Sequence, residues 1–316
     1  MHAPKIIFMG TADFAVPSLD ALLASNYNVV AVVTTPNRPR GRGRKTLASP
    51  VSAAAQAHHL PVLQPEDLTD PEFLDALQHY APDVQVVVAF RILPQAVWNL
   101  PPLGTINLHA SLLPAYRGAA PIEWAIIHGE TQTGVTTFFI DRRVDTGHIL
   151  LQEAVTIGQQ ETAGELRQRL AQCGASLLVR TVDQVVAGEA VAKPQEATPE
   201  ALAKKAPKIY RETCQIDWRQ PCYKVYDFVR GLSPTPGAWT MLQGHPCKIL
   251  QADCVLEDTS LKAGAVRSDG KRWLRVGTSQ GTLELKVLQP AGRKSMSAAA
   301  FLQGLRSTDV EQTQCV

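Results

Sequence analysis

Residues 6–34 read IIFMGTADFAVPSLDALLASNYNVVAVVT, and this stretch decides the fold. Ile6–Met9 and Val29–Thr34 are continuous apolar runs rich in Ile and Val, the pattern of strands buried on both faces. Between them, Pro17–Ser25 opens on proline and carries apolar residues at helical spacing. A strand, a helix and a strand in that order predict a parallel pair joined by a right-handed crossover. The alternation continues with helices over Pro50–His59 and Pro71–Tyr80 and a strand over Val84–Ala89. Thr105–Leu108 and Val135–Ile140 read as further strands. Glu161–Ala187 reads as a long amphipathic helix with Leu166, Leu170, Leu177, Leu178 and Val182 largely on one side. Residues 188–208 are polar, Ala-rich and broken by Pro194, Pro199 and Pro207, the composition of a linker. Beyond them come short strands separated by turns: Trp239–Leu242, Cys247–Ala252, Ala265–Val266, Trp273–Gly277 and Leu283–Leu288. The expectation is an α/β chain. A Rossmann-like, mostly parallel sheet domain spans 1–189, a linker 190–208, and a small β-barrel of the OB-like kind 209–316.

Composition narrows the class. With 45% hydrophobic and 19% charged residues, 316 residues suffice for about two globular domains. No apolar run reaches the ~18–20 residues of a membrane helix. The N-terminus enters a strand with no secretory leader pattern, so a cytoplasmic enzyme with no membrane contact is expected. The six cysteines, Cys173, Cys214, Cys222, Cys247, Cys254 and Cys315, show no paired spacing of a zinc or redox motif and read as unreactive thiols. No metal is expected. The net charge is only +2 but unevenly placed. Residues 1–206 hold 16 Lys and Arg against 19 Asp and Glu, and residues 207–316 hold 15 against 10. A basic C-terminal part hints at a polyanionic partner. Gly10-Thr11-Ala12-Asp13 lacks the three set glycines of a dinucleotide fingerprint, so no NAD or FAD site is assigned; the turn simply joins strand to helix.

The segment richest in chemistry is Asn107-Leu108-His109-Ala110-Ser111-Leu112-Leu113-Pro114. Asn107 and His109 are two apart at the end of a strand, and period-two geometry puts both side chains on one face. An amide donor and an imidazole aimed at one point suit acyl transfer: the first stabilises an oxyanion, the second handles a proton. Alone, the pair reads more readily as a structural hydrogen bond. Asp145, in Asp141-Arg142-Arg143-Val144-Asp145-Thr146-Gly147, adds a carboxylate able to orient the imidazole, against a plainer role as a turn former. Arg38-Pro39-Arg40-Gly41-Arg42-Gly43-Arg44-Lys45 packs five cations into eight residues. It is either a solvated surface loop or, near the strand ends, a grip for phosphates. Its glycines and proline predict an irregular loop.

Together these segments resemble the folate-dependent formyltransferases. The matching runs are Ile7-Phe8-Met9-Gly10-Thr11, Pro36-x-Arg38-Pro39-x-Gly41-Arg42-Gly43, Asn107-x-His109-x-Ser111-Leu112-Leu113-Pro114, Arg117-Gly118-x-Ala120-Pro121, Gly134-Val135-Thr136, Asp145-Thr146-Gly147, Ile216-Asp217-Trp218 and Gln289-Pro290-Ala291-Gly292. They span nearly the whole chain. The resemblance implies a catalytic triad of Asn107, His109 and Asp145. It implies a turn, Ser111, Leu112, Leu113 and Pro114, that cradles the donor 10-formyltetrahydrofolate. The acceptor it implies is the α-amino group of methionyl initiator tRNA, attacked directly with no covalent enzyme intermediate. The cations implied in tRNA binding are Arg38, Arg40, Arg42, Arg44 and Lys45, with Lys208 in the linker and Arg211 beyond it; Lys204 and Lys205 could join them. Residues 1–189 become the catalytic domain and 209–316 a tRNA-binding domain, with no obligate protein partner. Two departures lie near the folate turn: Phe90-Arg91-Ile92-Leu93-Pro94 is one residue short of a glycine-containing loop, and Arg142 and Arg143 stand where smaller or neutral residues are common. An amino-sugar formyltransferase would share the triad, and a folate hydrolase or a catalytically silent RNA-binding protein are further readings. The cationic loop and basic C-terminal part favour RNA, and the intact triad favours catalysis.

Overall fold

A computed structural model describes residues 4–25, 27–40, 45–196, 198–258, 260–304 and Cys315. It divides into two compact units. One comprises Met1–Gly118, Thr133–Val155 and Arg167–Lys205; the other comprises Ala119–Gln132, Thr156–Leu166 and Ala206–Val316.

The first unit is built on β1 (Lys5–Gly10), β2 (Asn28–Val33), β3 (Arg38–Arg40), β4 (Lys45–Leu47), β5 (Val62–Leu63), β6 (Val84–Val88), β7 (Thr105–His109), β8 (Arg117–Gly118), β9 (Gln132–Phe139) and β10 (Ile149–Thr156). Seven of these form one sheet in the order β10-β9-β7-β6-β1-β2-β5. Strands β1, β2, β5, β6 and β7 run parallel, and β9 is antiparallel to β7. The expected α/β, mostly parallel architecture is therefore present. Helices α1 (Val16–Ala24), α2 (Pro50–Ala57), α3 (Pro71–Tyr80) and α4 (Gln95–Trp98) connect the parallel strands. Ile6, Ile7, Phe8 and Met9 are all fully buried, as are Val32, Val33, Val86 and Val88. Each such side chain contributes about 1.5–3 kcal/mol by leaving water.

The cationic segment departs from the expected irregular loop. Arg38 pairs with Leu47, Pro39 with Thr46 and Arg40 with Lys45 in a two-stranded antiparallel ribbon. A ribbon this short tolerates Pro39, because an edge position need not supply an N–H to a ladder. Arg42 and Arg44 lie outside the described residues. Helix α5 (Pro121–Ile127) belongs to the second unit. The long helix α6 runs Ala163–Ala187, starting two residues later than the periodicity predicts. Thr162 and Glu165 form a capping box: the Glu165 N–H donates to Thr162 Oγ1 (3.3 Å) and the Thr162 N–H to Glu165 Oε2 (2.9 Å). After α6, Lys193 exchanges both backbone hydrogen bonds with Ile149 (2.8 and 2.9 Å), and α7 (Pro199–Ala203) and β11 (Lys205–Ala206) follow.

The second unit carries α8 (Cys222–Gly231), then β12 (Ala238–Leu242), β13 (His245–Val255), β14 (Val266–Ser268), β15 (Leu274–Gly277), β16 (Thr282–Pro290), β17 (Met296–Ser297) and α9 (Ala298–Gln303). The strands form an antiparallel sheet ordered β12-β13-β16-β15-β14, with β17 on β16. The predicted short strands recur here with longer bounds. Ile216, Trp218, Val225, Val229, Ile249, Val276, Leu283 and Leu288 fill the core, and the buried Trp218 indole donates to Thr240 Oγ1 (3.0 Å). The reading of six unreactive thiols is corrected here: Cys222 and Cys254 are joined as a disulfide, their Cα atoms 5.7 Å apart. The sequence spacing hid this pair, because it links the start of α8 to the end of β13 across 32 residues. Among the described residues no helix is long and apolar enough to cross a membrane.

Candidate active site

The site grows from the end of β7. Asn107 pairs with Phe138 and His109 with Thr136 of β9, which fixes the register and puts both side chains on the same face. His109 is buried, and its Nε2 lies 2.9 Å from the carbonyl of Tyr116. A carbonyl can only accept, so Nε2 carries a proton. In the neutral ring the lone pair then sits on Nδ1, which lies 4.0 Å from Asp145 Oδ2; both side chains are about nine-tenths buried, at 8% and 10% exposure. The structure thus brings His109 and Asp145 together. Asn107 is half-buried, and among the described residues its carboxamide meets no hydrogen-bond partner.

Asp145 reaches this point by an indirect route. Because β9 is antiparallel to β7, its last residue, Phe139, stands beside Ile106. That is three residues, about 10 Å, from His109. The turn after β9 must fold back along the strand. Asp141 Oδ1 accepts from the Arg143 N–H (2.9 Å) and from Thr146 Oγ1 (2.8 Å), which closes the bend. Asp145 adopts a left-handed conformation, φ +56°. Its Oδ2 accepts the Gly118 N–H at 2.9 Å. Gly147 permits the fold-back: a Cβ there would fall 1.6 Å from the carbonyl oxygen of Phe139.

The Ser111–Pro114 turn is internally braced. Ser111 Oγ donates to the Ala115 carbonyl (2.7 Å), and Thr136 Oγ1 accepts from the Leu113 N–H (3.2 Å) while donating to the Ser111 carbonyl (2.6 Å). The Gln152 amide donates to the Leu113 carbonyl (2.9 Å). Ser111 and Leu113 are buried, whereas Leu112 and Pro114 are half-exposed. Sequence reasoning did not find Thr136 or Gln152 as braces, since a lone polar residue in a strand gives no signal of what it bonds. The guanidinium of Arg91 donates to the carbonyls of Pro65 (2.8 Å) and Glu66 (2.9 Å) and lies over the Phe90 ring. Ile92 is 76% exposed and Val144 53% exposed, two uncovered apolar side chains on the loops next to the site.

Of Arg38, Arg40 and Lys45 the structure describes the backbone ribbon. Lys208 is exposed and lies over the Tyr210 ring, and Arg211 is exposed, its carbonyl accepting from the Trp239 indole (2.8 Å). Four cysteines are free. Burial, then the Glu153 carboxylate, push the Cys173 thiol up to about 11; burial raises Cys214, and pushes Cys247 to about 11 and Cys315 to about 12. These thiols stay protonated at neutral pH, and the thiolate is the nucleophile. Among the described residues no three His, Cys, Asp or Glu side chains converge as a metal would require. Activity should therefore survive exhaustive treatment with EDTA; loss of turnover restored by zinc is the contrary result.

The chain is a formyl-transferring enzyme by its matches to known proteins. A family model described as formyl transferase matches residues 4–182, and one of the formyl transferase C-terminal domain matches 208–306. The chain belongs to the methionyl-tRNA formyltransferase family. The protein of that name from Porphyromonas gingivalis is 49% identical over 308 residues, covering 95% of each chain. That from Moorella thermoacetica is 46% identical over 313 residues, covering 99% of this chain and 100% of its own. Among solved structures, HypX from Aquifex aeolicus in complex with tetrahydrofolic acid matches with a TM-score of 0.66 at 18% identity, over 95% of this chain and 47% of that one. WlaRD, a sugar 3N-formyl transferase, matches with a TM-score of 0.65 at 17% identity, over 93% of this chain and 100% of its own. At these identities the likeness to the solved structures is one of fold.

Proposed function

We propose that the protein transfers the formyl group of 10-formyltetrahydrofolate to the α-amino group of methionyl initiator tRNA, with Asn107, His109 and Asp145 as the catalytic residues. The observation that carries this reading is the unengaged Asn107 carboxamide on the strand face of an imidazole held between a carbonyl and a carboxylate. The residues present fit a folate-borne formyl group: a free amide donor, the half-buried Leu112 and Pro114, and the uncovered Ile92 and Val144.

When bound, the donor supplies an electrophilic formyl carbon. A carbon–nitrogen bond forms to the methionyl amine, the bond to the folate nitrogen breaks, and one proton passes from the amine to the leaving nitrogen. Charge grows on the formyl oxygen during attack, and the Asn107 amide is placed to donate to it. His109 moves the proton through Nδ1, since Nε2 is committed to Tyr116. Asp145 orients the ring and balances its transient charge. Ser111, Leu112, Leu113 and Pro114 hold the donor through the backbone of their braced turn and the apolar faces of Leu112 and Pro114. Residues 1–189 act as the catalytic domain, 190–208 as the connector and 209–316 as the tRNA-binding domain. The protein acts in the cytoplasm, where its tRNA is, with no obligate protein partner. Incubation with 10-formyltetrahydrofolate and charged methionyl-tRNA should yield formylmethionine on the tRNA.

Arg38, Arg40, Arg42, Arg44, Lys45, Lys208 and Arg211 serve the tRNA. Arg42, flanked by Gly41 and Gly43, has a guanidinium that can pair with phosphate or a base edge. Arg42→Ala should weaken methionyl-tRNA use while folate affinity stays nearly unchanged. Neutralising Arg40, Arg42 and Arg44 together should flatten the salt dependence of tRNA binding, since each lost phosphate contact removes counterion release. Impaired folate affinity with intact tRNA kinetics would point instead to a small-amine acceptor.

A further inference from the structure

We infer that Gln195 is a positioning residue for formyl transfer, holding the turn that carries Asp145; this rests on the catalytic role given to Asp145. The side-chain amide of Gln195 makes four hydrogen bonds. Its Nε2 donates to the carbonyls of Asp145 (3.0 Å) and Gly147 (2.9 Å). Its Oε1 accepts from Nε (3.2 Å) and Nη2 (2.5 Å) of Arg117. Two donated and two accepted bonds use the whole capacity of a carboxamide. The orientation is forced, because carbonyls only accept and a guanidinium only donates. Reversing the amide would mispair all four.

Gln195 thereby ties together the two backbone segments that place the carboxylate. One is the left-handed turn at Asp145 itself. The other is Arg117-Gly118, whose Gly118 N–H holds Asp145 Oδ2. The turn has folded back about 10 Å from the end of β9, and Gln195 is what meets its Asp145 and Gly147 carbonyls. Side chains that act through a supporting shell lose rate, not binding, when that shell loosens.

Gln195→Ala should lower kcat about 10- to 100-fold while KM for 10-formyltetrahydrofolate and for methionyl-tRNA each change less than about threefold. Gln195→Glu keeps an acceptor for Arg117 but sets a carboxylate oxygen against two carbonyls, and should lose a comparable factor. It carries the same comparison if the alanine variant fails to fold. The decisive measurement is a double-mutant cycle in single-turnover experiments. If Gln195 acts through Asp145, adding Gln195→Ala to Asp145→Ala costs less than about twofold more. Full additivity, or a Gln195→Ala enzyme with normal kcat, overturns the inference while an inactive Asp145→Ala enzyme still upholds the site. An active Asp145→Ala enzyme overturns the site itself.

Discussion

His109→Ala lowers the turnover number for formyl transfer by about 10²–10⁴-fold, the range for a lost general acid–base. The imidazole is the group placed at the strand end to take and return a proton. Its Nε2 is pinned 2.9 Å from the Tyr116 carbonyl and its Nδ1 faces Asp145 Oδ2. The free thiols offer no ready base, because burial pushes each of them up from its ordinary range. Asn107→Ala should cost about 10²–10³-fold, as for a missing oxyanion donor. The Asn107 carboxamide makes no hydrogen bond among the described residues, so its removal leaves no orphaned partner and the fold should be unaffected. Single-turnover rates at saturating donor and methionyl-tRNA, with circular dichroism to confirm folding, measure both. A His109→Ala enzyme turning over at a near-normal rate would show that the proton travels elsewhere.

Gly147→Ala destabilises the first unit by about 3 kcal/mol or more, at the upper end of overpacking effects. The added Cβ would stand 1.6 Å from the Phe139 carbonyl oxygen, close to a covalent distance, and 3.2 Å from the Phe138 ring. The obstacle is backbone, so no rotamer change relieves it. At roughly 2–4 °C per kcal/mol, the first thermal transition should fall by at least about 6 °C. Activity should fall further than stability explains, because the same shift drags Asp145 from His109. Gly188→Ala separates crowding from strain. Gly188 has φ +72° with nothing within 4 Å of a built Cβ, so only the left-handed penalty of about 1–2 kcal/mol remains. Equal melting of the two variants would refute the close approach at Gly147.

The strands that set the fold were legible because they are buried on both faces of the sheet. Ile6–Met9 is unbroken in burial and in hydrophobicity, and Val84–Val88 is buried throughout with Gln85 as its one polar residue. Strand β10 was not: Ile149–Thr156 alternates inward and outward, and Gln152 and Glu153 break its run. The short α5 carried too few residues for a period to stand out; α8 does carry one, in its buried Cys222, Val225 and Val229. In the site, Asn107 and His109 were legible as a period-two pair. Asp145 was legible by its turn, but not its path, since sequence cannot tell that β9 runs against β7 and ends beside Ile106. Gln195 was invisible for a different reason. It lies in a polar, proline-broken stretch whose composition is that of a tether, and only tertiary contacts distinguish it from Gln159 or Gln184.

An open sheet leaves two lateral rows of backbone groups, each a template on which a foreign strand can assemble. Here both flanks are guarded. One ends in β5, only two residues long, too brief to nucleate pairing. The other ends in β10, where Ile149 gives its N–H and its carbonyl to Lys193. Further along, Glu153 stands half in water, paired with Arg180 at 3.1 Å. A nascent chain meeting a second copy at this margin finds its first docking position taken and a charge beside it. The segment that closes the margin is also the one that carries Gln195, so the shielding of a sheet edge and the bracing of the Asp145 turn rest on the same few residues.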